Sequence, residues 1–199
     1  MGSLGAVRTL IPPPFVESLP LTRAAFAYAA ALHEGQRRES DLAPFVLHPV
    51  EVAQLLHGRG FDDEVVAAGL LHDVIEDTET TADDLRERFG DRVAALVTAL
   101  SDDPSIADPR ERKRALREQV ARADRTAQAI FAADKVAKAR ELRATLARDP
   151  HASEQPSIQL RLEHYDACLE LLERAVPDLP LVAQLRFELW ALRELPPPA

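Results

Sequence analysis

The sequence predicts an all-α fold, a bundle of about eight helices, and three observations carry that expectation. Ala, Leu, Arg and Glu, all good helix formers, dominate the 199 residues. Glycine occurs only seven times, and no strand-like alternation of apolar and polar residues runs for long. Apolar residues recur instead at the three- and four-residue spacing of a helix face. Hydrophobic residues make up 46% and charged residues 29% of the chain, proportions that suit one folded domain. Its expected extent is residues 21–195, preceded by a proline-rich irregular arm over residues 1–20.

Each element has a local reason. Thr22 is expected to cap a helix running to about Glu34, with Phe26, Ala29, Ala30 and His33 at helical spacing. The polar stretch Gln36 to Pro44 reads as a loop. Pro49 suits the first turn of a second helix, which buries Val52, Ala53, Leu55 and Leu56 and ends near Gly58. A third helix is expected from about Asp63 to Asp77. Thr81 and Asp84 resemble a capping pair for a short helix ending before Gly90, and Asp91 to Leu100 continues helically. Ser101 to Pro109, rich in proline and aspartate, reads as a loop. Helices follow over Arg110–Ala123, Thr126–Arg148, Gln155–Ala175 and Leu179–Leu195, the Asp149-Pro150 pair breaking the second of these from the third. Pro196-Pro197-Pro198 ends the last one.

Composition excludes several function classes. The formal charge of −9 argues against broad binding to nucleic acid or an anionic membrane, which needs a basic face. It leaves room for a small anionic ligand held by a few cations or a metal. No apolar run reaches the roughly 20 residues that span a bilayer, and Met1 to Pro14 lacks the pattern of a signal peptide; the expected location is the cytoplasm. Cys168, the single cysteine, rules out an internal disulfide and a cysteine-built zinc site, and is expected to be a buried apolar thiol.

The segment Leu70-Leu71-His72-Asp73-Val74-Ile75-Glu76-Asp77 is the sharpest local feature. On a helix His72, Asp73, Glu76 and Asp77 would share one stripe, opposite Leu70, Leu71, Val74 and Ile75. Crowded carboxylates repel unless something positive sits among them, and a divalent cation takes both imidazole and carboxylate ligands. The octet alone reads equally as a solvated acidic face beside a self-satisfied histidine. Two further segments add weight. Pro44-Phe45-Val46-Leu47-His48-Pro49 sets a histidine in apolar surroundings, and Ala132-Ala133-Asp134-Lys135 sets an aspartate in an apolar helix, where an unpaired carboxylate is costly. Singly, these read as a helix-cap histidine and as an aspartate paired to Lys135 or Lys138. Together they supply two histidines and two aspartates for one cation, with Glu76 and Asp77 to spare, and leave ligand positions for water and a substrate oxygen.

The order His48, His72-Asp73, Asp134 resembles the HD-domain metal-dependent phosphohydrolases. The runs His33-Glu-Gly-Gln36-Arg37-Arg38, Pro44-Phe45-Val-Leu-His48-Pro49, Leu70 through Thr78 and Phe89-Gly90 are similar to the hydrolase domain of the stringent-response alarmone enzymes, above all to the stand-alone small alarmone hydrolases. Ser101-Asp-Asp-Pro with Arg110-Glu-Arg-Lys-Arg114 fits that branch, and the similarity spans roughly residues 22 to 170. The resemblance implies an HD-type helical bundle in which His48, His72, Asp73 and Asp134 ligate one divalent ion, expected to be Mn²⁺. It implies that Glu76 and Asp77 orient and deprotonate the attacking water. Arg38 would contact the nucleobase, Tyr165 would pack on it, and Arg37 and Lys138 would add positive charge for the phosphates. The implied reaction removes the 3′-pyrophosphate of guanosine tetra- or pentaphosphate. Two alternatives are another phosphorylated nucleotide, such as the 2′-phosphate of NADPH, and a degenerate domain that binds a nucleotide without turnover. The implied partner is thus a small phosphorylated nucleotide, with a homo-oligomer left open.

The chain departs from the family pattern in three places. Lys138 stands where an asparagine is usual, Phe131 where a lysine is common, and Phe45 where a tyrosine is common. Lysine is a strong phosphate partner but accepts no hydrogen bond, so the preferred phosphate pattern is expected to shift. His33 reads as a helix-end histidine, and His57, His151 and His164 as surface or helix-terminal ones. Phe187 and Trp190 read as core or interface, and the charged stretch from Arg110 to Arg125 as a solvated helix whose arginines could border the pocket.

Overall fold

A computed structural model describes residues 10–194 of the chain. Among these every regular element is helical: α1 (Pro14–Ser18), α2 (Pro20–Leu32), α3 (Leu47–His57), α4 (Asp63–Leu71), α5 (Val74–Asp77), α6 (Ala82–Phe89), α7 (Asp91–Thr98), α8 (Pro109–Arg122), α9 (Arg125–Arg148), α10 (Pro156–Ala175) and α11 (Pro180–Glu194), with a 3₁₀ turn at Pro150–Glu154. The all-α expectation holds. Residues 1–9 of the expected arm, Leu195 and the closing proline run lie outside the described residues. Within the arm, Pro14–Ser18 forms one turn of helix with Val16 buried.

The core is organised around α9. Every residue from Ala127 to Ala137 is buried, and six of these eleven are alanine or valine, so neighbouring helices approach from all sides. α9 packs on α3, α4, α10 and α11. A helix apolar around its whole circumference belongs at the centre of a fold, which makes the buried Asp134 and Lys135 in this run conspicuous. α4 is similarly enclosed, with Val65 to Leu71 all buried against α2, α3 and α7.

Gly69 sets the distance between α3 and α4. A Cβ there would fall 2.6 Å from Leu56 Cδ1 and 3.5 Å from Ala53 Cα. The contact brings the first turn of α3, which carries His48, beside the end of α4, which carries His72.

Two local expectations are corrected. Thr22 does not cap α2, which begins at Pro20. The free N–H groups of Leu21 and Thr22 donate instead to the Asp63 carboxylate, at 2.9 and 2.8 Å, and the Thr22 hydroxyl donates to it as well at 2.6 Å. A side chain from the start of α4 thus does the capping, which local sequence cannot reveal. The helix expected over Asp63–Asp77 is broken at His72 and Asp73 into α4 and α5, so the four polar residues do not share one continuous stripe. Successive residues of an unbroken helix point about 100° apart, whereas the turn directs His72 and Asp73 to the same place. The capping box of Thr81 and Asp84 forms as expected.

Substituting Gly69→Val should force α3 and α4 apart. The expected cost is about 1–3 kcal/mol, the usual range for overpacking, read as a lower midpoint in urea or a lower Tm.

Candidate metal centre and substrate cleft

Donor atoms of His48, His72 and Asp134 gather within 4.8 Å of one another where α3, the α4–α5 turn and α9 meet, and Asp73 Oδ2 approaches both histidines from beside them. His48 Nε2 lies 3.3 Å from His72 Nε2, 3.1 Å from Asp134 Oδ1 and 3.4 Å from Asp73 Oδ2. His72 Nε2 lies 3.2 Å from Asp73 Oδ2 and 3.4 Å from Asp134 Oδ1. All four residues are buried, between 3% and 6% exposed, so water does not screen this crowding. The ring of His72 is fixed by its Nδ1, 2.8 Å from the Gly69 carbonyl, which directs Nε2 at the cluster.

This arrangement suits a divalent cation. Donors about 2.1 Å from a common ion lie about 3.0 Å apart at right angles and about 3.4 Å apart at the tetrahedral angle. The distances between the histidine nitrogens and carboxylate oxygens fall in that interval. Asp73 Oδ2 is buried without a hydrogen-bond partner, a costly state for a carboxylate oxygen that a cation would relieve. The mixed imidazole and carboxylate donor set is one that first-row divalent ions accept.

Electrostatics point the same way. Burial opposes a charge on His72, but the carboxylates of Asp73 and Asp134 prevail and push its pKa up to about 10. Burial likewise disfavours charge on Asp73 and Asp134. His72 and Lys138 nevertheless hold Asp73 below the usual carboxylate range, and Lys135 and Lys138 hold Asp134 well below it. Lys135 Nζ is 2.6 Å from Asp134 Oδ2, and Lys138 Nζ is 3.0 Å from Asp134 Oδ1 and 3.8 Å from Asp73 Oδ1. The pairing of Asp134 with lysine anticipated from sequence is therefore made by both lysines. In the ion-free cluster a proton on His72 supplies positive charge that a metal would replace.

Glu76 and Asp77, on the exposed side of α5, flank this centre. Glu76 lines a pocket of about 20 Å³ together with His72, Asp73 and Asp134, large enough for one water. Its Oε1 accepts a 2.7 Å hydrogen bond from the Asp102 N–H, and Asp102 is held by Lys113 at 2.5 Å. Partial desolvation raises the pKa of both Glu76 and Asp77. For Glu76 the Asp102 N–H moderates the rise, and for Asp77 the nearby Asp73 adds to it.

A cleft of about 820 Å³ opens outward from the centre. Arg37, Arg38, His48, Asp77, Lys138 and Tyr165 all line it. The ten residues singled out from sequence therefore surround one inner pocket and one cleft, Lys138 lining both. They differ in availability. Arg37 is exposed, whereas Arg38 is engaged through Nε by Asp41 at 3.1 Å within its own loop. Tyr165 is 6% exposed and belongs to the buried face of α10.

Sequence reasoning did not single out Lys113 or the Asp102 N–H, because the charged stretch around Lys113 reads as a solvated face. Most of it is one: Arg114 pairs with Glu111 and Glu118 on the surface. His164 is another correction. It is half-buried, its Nδ1 lying 2.7 Å from Arg117, and its ring rests against Cys168. Burial, with Lys135 and Arg117 nearby, pushes its pKa down to about 2, so it stays neutral. Phe187 and Trp190 are about half exposed on α11 and are not core residues. His33 ends α2 as expected and, buried, ties to Gln36 at 2.7 Å. Cys168 is buried as expected.

Divalent cations should raise the Tm of the wild-type chain, since a ligand bound only by the folded state stabilises it, and His72→Ala should abolish that rise. Binding should also release protons. With a pKa of about 10, His72 is protonated at neutral pH and must lose its proton to ligate. Apparent metal affinity should therefore rise between pH 7 and 9, by up to about tenfold per unit. Calorimetry in buffers of different ionisation enthalpy would register about one proton released per ion.

Comparison with known proteins agrees with this geometry. The HD domain family profile matches residues 25–159. The human guanosine-3′,5′-bis(diphosphate) 3′-pyrophosphohydrolase MESH1 is 40% identical over 118 residues, covering 58% of this chain and 65% of the relative. The zebrafish protein of the same name is 37% identical over the same coverage. A guanosine-3′,5′-bis(diphosphate) 3′-pyrophosphohydrolase of Aquifex aeolicus is 43% identical over 77 residues, which is 39% of this chain but 11% of the relative. The chain thus spans less than two thirds of the length of these curated relatives. A solved structure described as a metazoan ortholog of SpoT that hydrolyzes ppGpp superposes with a TM-score of 0.76 at 28% identity, covering 94% of this chain and 99% of that one. The lmo0812 protein of Listeria monocytogenes superposes with a TM-score of 0.67 at 30% identity, covering 75% of this chain and 97% of that one. With its profile matched over more than half its length and its histidine and aspartate pairs gathered at one centre, the chain belongs to the HD domain family.

Proposed function

We propose that this chain is a divalent-metal-dependent phosphohydrolase, using Mn²⁺, that removes the 3′-pyrophosphate from guanosine tetra- or pentaphosphate. The observation that carries the reading is the convergence of His48, His72, Asp73 and Asp134 beside Glu76, at the inner end of a cleft lined by cationic side chains. The relatives named as 3′-pyrophosphohydrolases support the choice of substrate.

In this reading His48, His72, Asp73 and Asp134 hold the metal. When bound, the ion supplies a Lewis acid for a phosphoryl oxygen and acidifies water. Glu76 takes the proton of the attacking water, a task suited to a carboxylate whose pKa lies above its ordinary value. The Asp102 N–H fixes which oxygen of Glu76 is free, and Asp77 orients the water from the neighbouring position. Lys138 and Arg37 hold phosphate oxygens, while Tyr165 and Arg38 border the base. Water adds to the phosphorus attached to the 3′ oxygen and that phosphorus–oxygen bond breaks; the 3′ oxygen leaves as a hydroxyl with the proton that Glu76 accepted, and pyrophosphate departs.

The deciding experiment incubates the full chain and Mn²⁺ with a panel of phosphorylated nucleotides and reads phosphate and pyrophosphate separately. Release of pyrophosphate from guanosine tetraphosphate is expected. Orthophosphate released only from other nucleotides would replace this substrate assignment. Glu76→Gln should lower kcat by about 10²–10⁴-fold, the usual weight of a general base, while the Mn²⁺-dependent rise in Tm persists. Because the base must be ionised, turnover should fall on acidification through a pKa above that of an ordinary glutamate.

A further inference from the structure

Another cavity, of about 630 Å³, shares no lining residue with the inner pocket or the cleft. Its volume falls within the roughly 300–1,000 Å³ of small-molecule pockets. It runs along α3, and its apolar wall is Leu47, Val50 and Leu55 of that helix with Phe15 of α1. Phe15 is held there by stacking on His57, the ring centres 5.1 Å apart.

The charges in this cavity do not balance. Its titratable lining residues are Glu51, His57, Arg59 and Arg140. Arg140 is paired twice, its Nε 2.7 Å from Glu188 Oε1 and a terminal nitrogen 3.1 Å from Glu51 Oε1. The second Glu188 oxygen is 3.1 Å from Arg143. Arg59 has neutral acceptors instead, the Leu55 carbonyl at 2.8 Å and the Gln184 side-chain oxygen. These take two of the five N–H donors of a guanidinium, and its Nε is buried without a partner. Three arginines therefore meet two glutamates. With histidine counted as neutral, the excess is one positive charge, in a chain whose formal charge is −9. Burial, and then the neighbouring Arg140, make it harder for Arg59 to stay charged, a cost that an anion between the two guanidiniums would relieve.

We propose that this cavity binds a small monocarboxylate with an apolar body, its carboxylate beside Arg59 and Arg140 and its body against Phe15, Leu47, Val50 and Leu55. The planar fork of arginine matches a carboxylate. A single excess charge suits a monoanion, and a polyphosphate there would be left with uncompensated charge. The apolar wall gives the body of the ligand a surface to leave water for. This site is independent of the phosphohydrolase reading.

Calorimetric titration of the full chain with octanoate, without added divalent ions, tests it. One octanoate should bind per chain with a Kd below about 1 mM. Octanamide, which lacks the charge, and acetate, which lacks the apolar body, should each bind at least about tenfold more weakly. Arg59→Gln removes the excess charge and Gln54→Glu cancels it, and each should weaken octanoate binding about tenfold. Gln54 lines the cavity and is exposed, so its isosteric replacement keeps the test open if Arg59→Gln does not fold. Equal binding of octanoate and octanamide would leave only an apolar patch and overturn the site. Octanoate binding of unchanged strength in both variants would put it elsewhere, in the cationic cleft for example, and overturn it too. Sedimentation showing a dimer that octanoate disperses would make this face a contact between copies and likewise end the proposal.

Discussion

Two buried carboxylates, Asp73 and Asp134, face the same pair of imidazoles, and the surrounding structure is arranged around what that costs. Neither aspartate can be charged in a dry interior without positive charge within a few ångströms. Lys135 and Lys138 supply part of it, both from the helix that carries Asp134. A proton on His72 supplies more when no ion is present. A divalent ion does so more completely, because it also satisfies the Asp73 oxygen that has no hydrogen-bond partner.

Holding that cluster together is a packing task. α9 presents Asp134 from within a run of small buried residues, so α3 and α4 come close enough for their histidines to reach it. Gly69 removes the side chain that would separate those two helices. The break between α4 and α5 turns adjacent residues toward one point, and α5 then places Glu76 beside it. The loop after α7 completes the arrangement, since the Asp102 N–H restrains Glu76 and Lys113 restrains Asp102.

The helices were legible in the sequence because their apolar spacing is a local property. The Thr81 and Asp84 box shows the same for a cap whose partners are three residues apart. What escaped depended on distant contacts. The Asp63 carboxylate caps α2 across some forty residues, and no local pattern announces it. The break at His72 was hidden because the residues after it resume helical periodicity. The candidate site was legible as a set of residue types, and a resemblance joined segments up to 86 residues apart. Arg38 illustrates the limit: the resemblance implies a contact with the nucleobase, while the fold pairs it with Asp41. His164 illustrates the opposite case, a residue assigned to the surface that the packing of α8 and α10 half encloses.

The order of the donors along the chain has a consequence for biogenesis. His48, His72 and Asp73 are synthesised well before Asp134, which reaches the cluster only when α9 is complete enough to dock. A ribosome-bound chain lacking α9 carries three of the four donors, without Asp134 or its two lysines. The complete set of four donors is therefore a property of the finished core, present only once the central helix is in place.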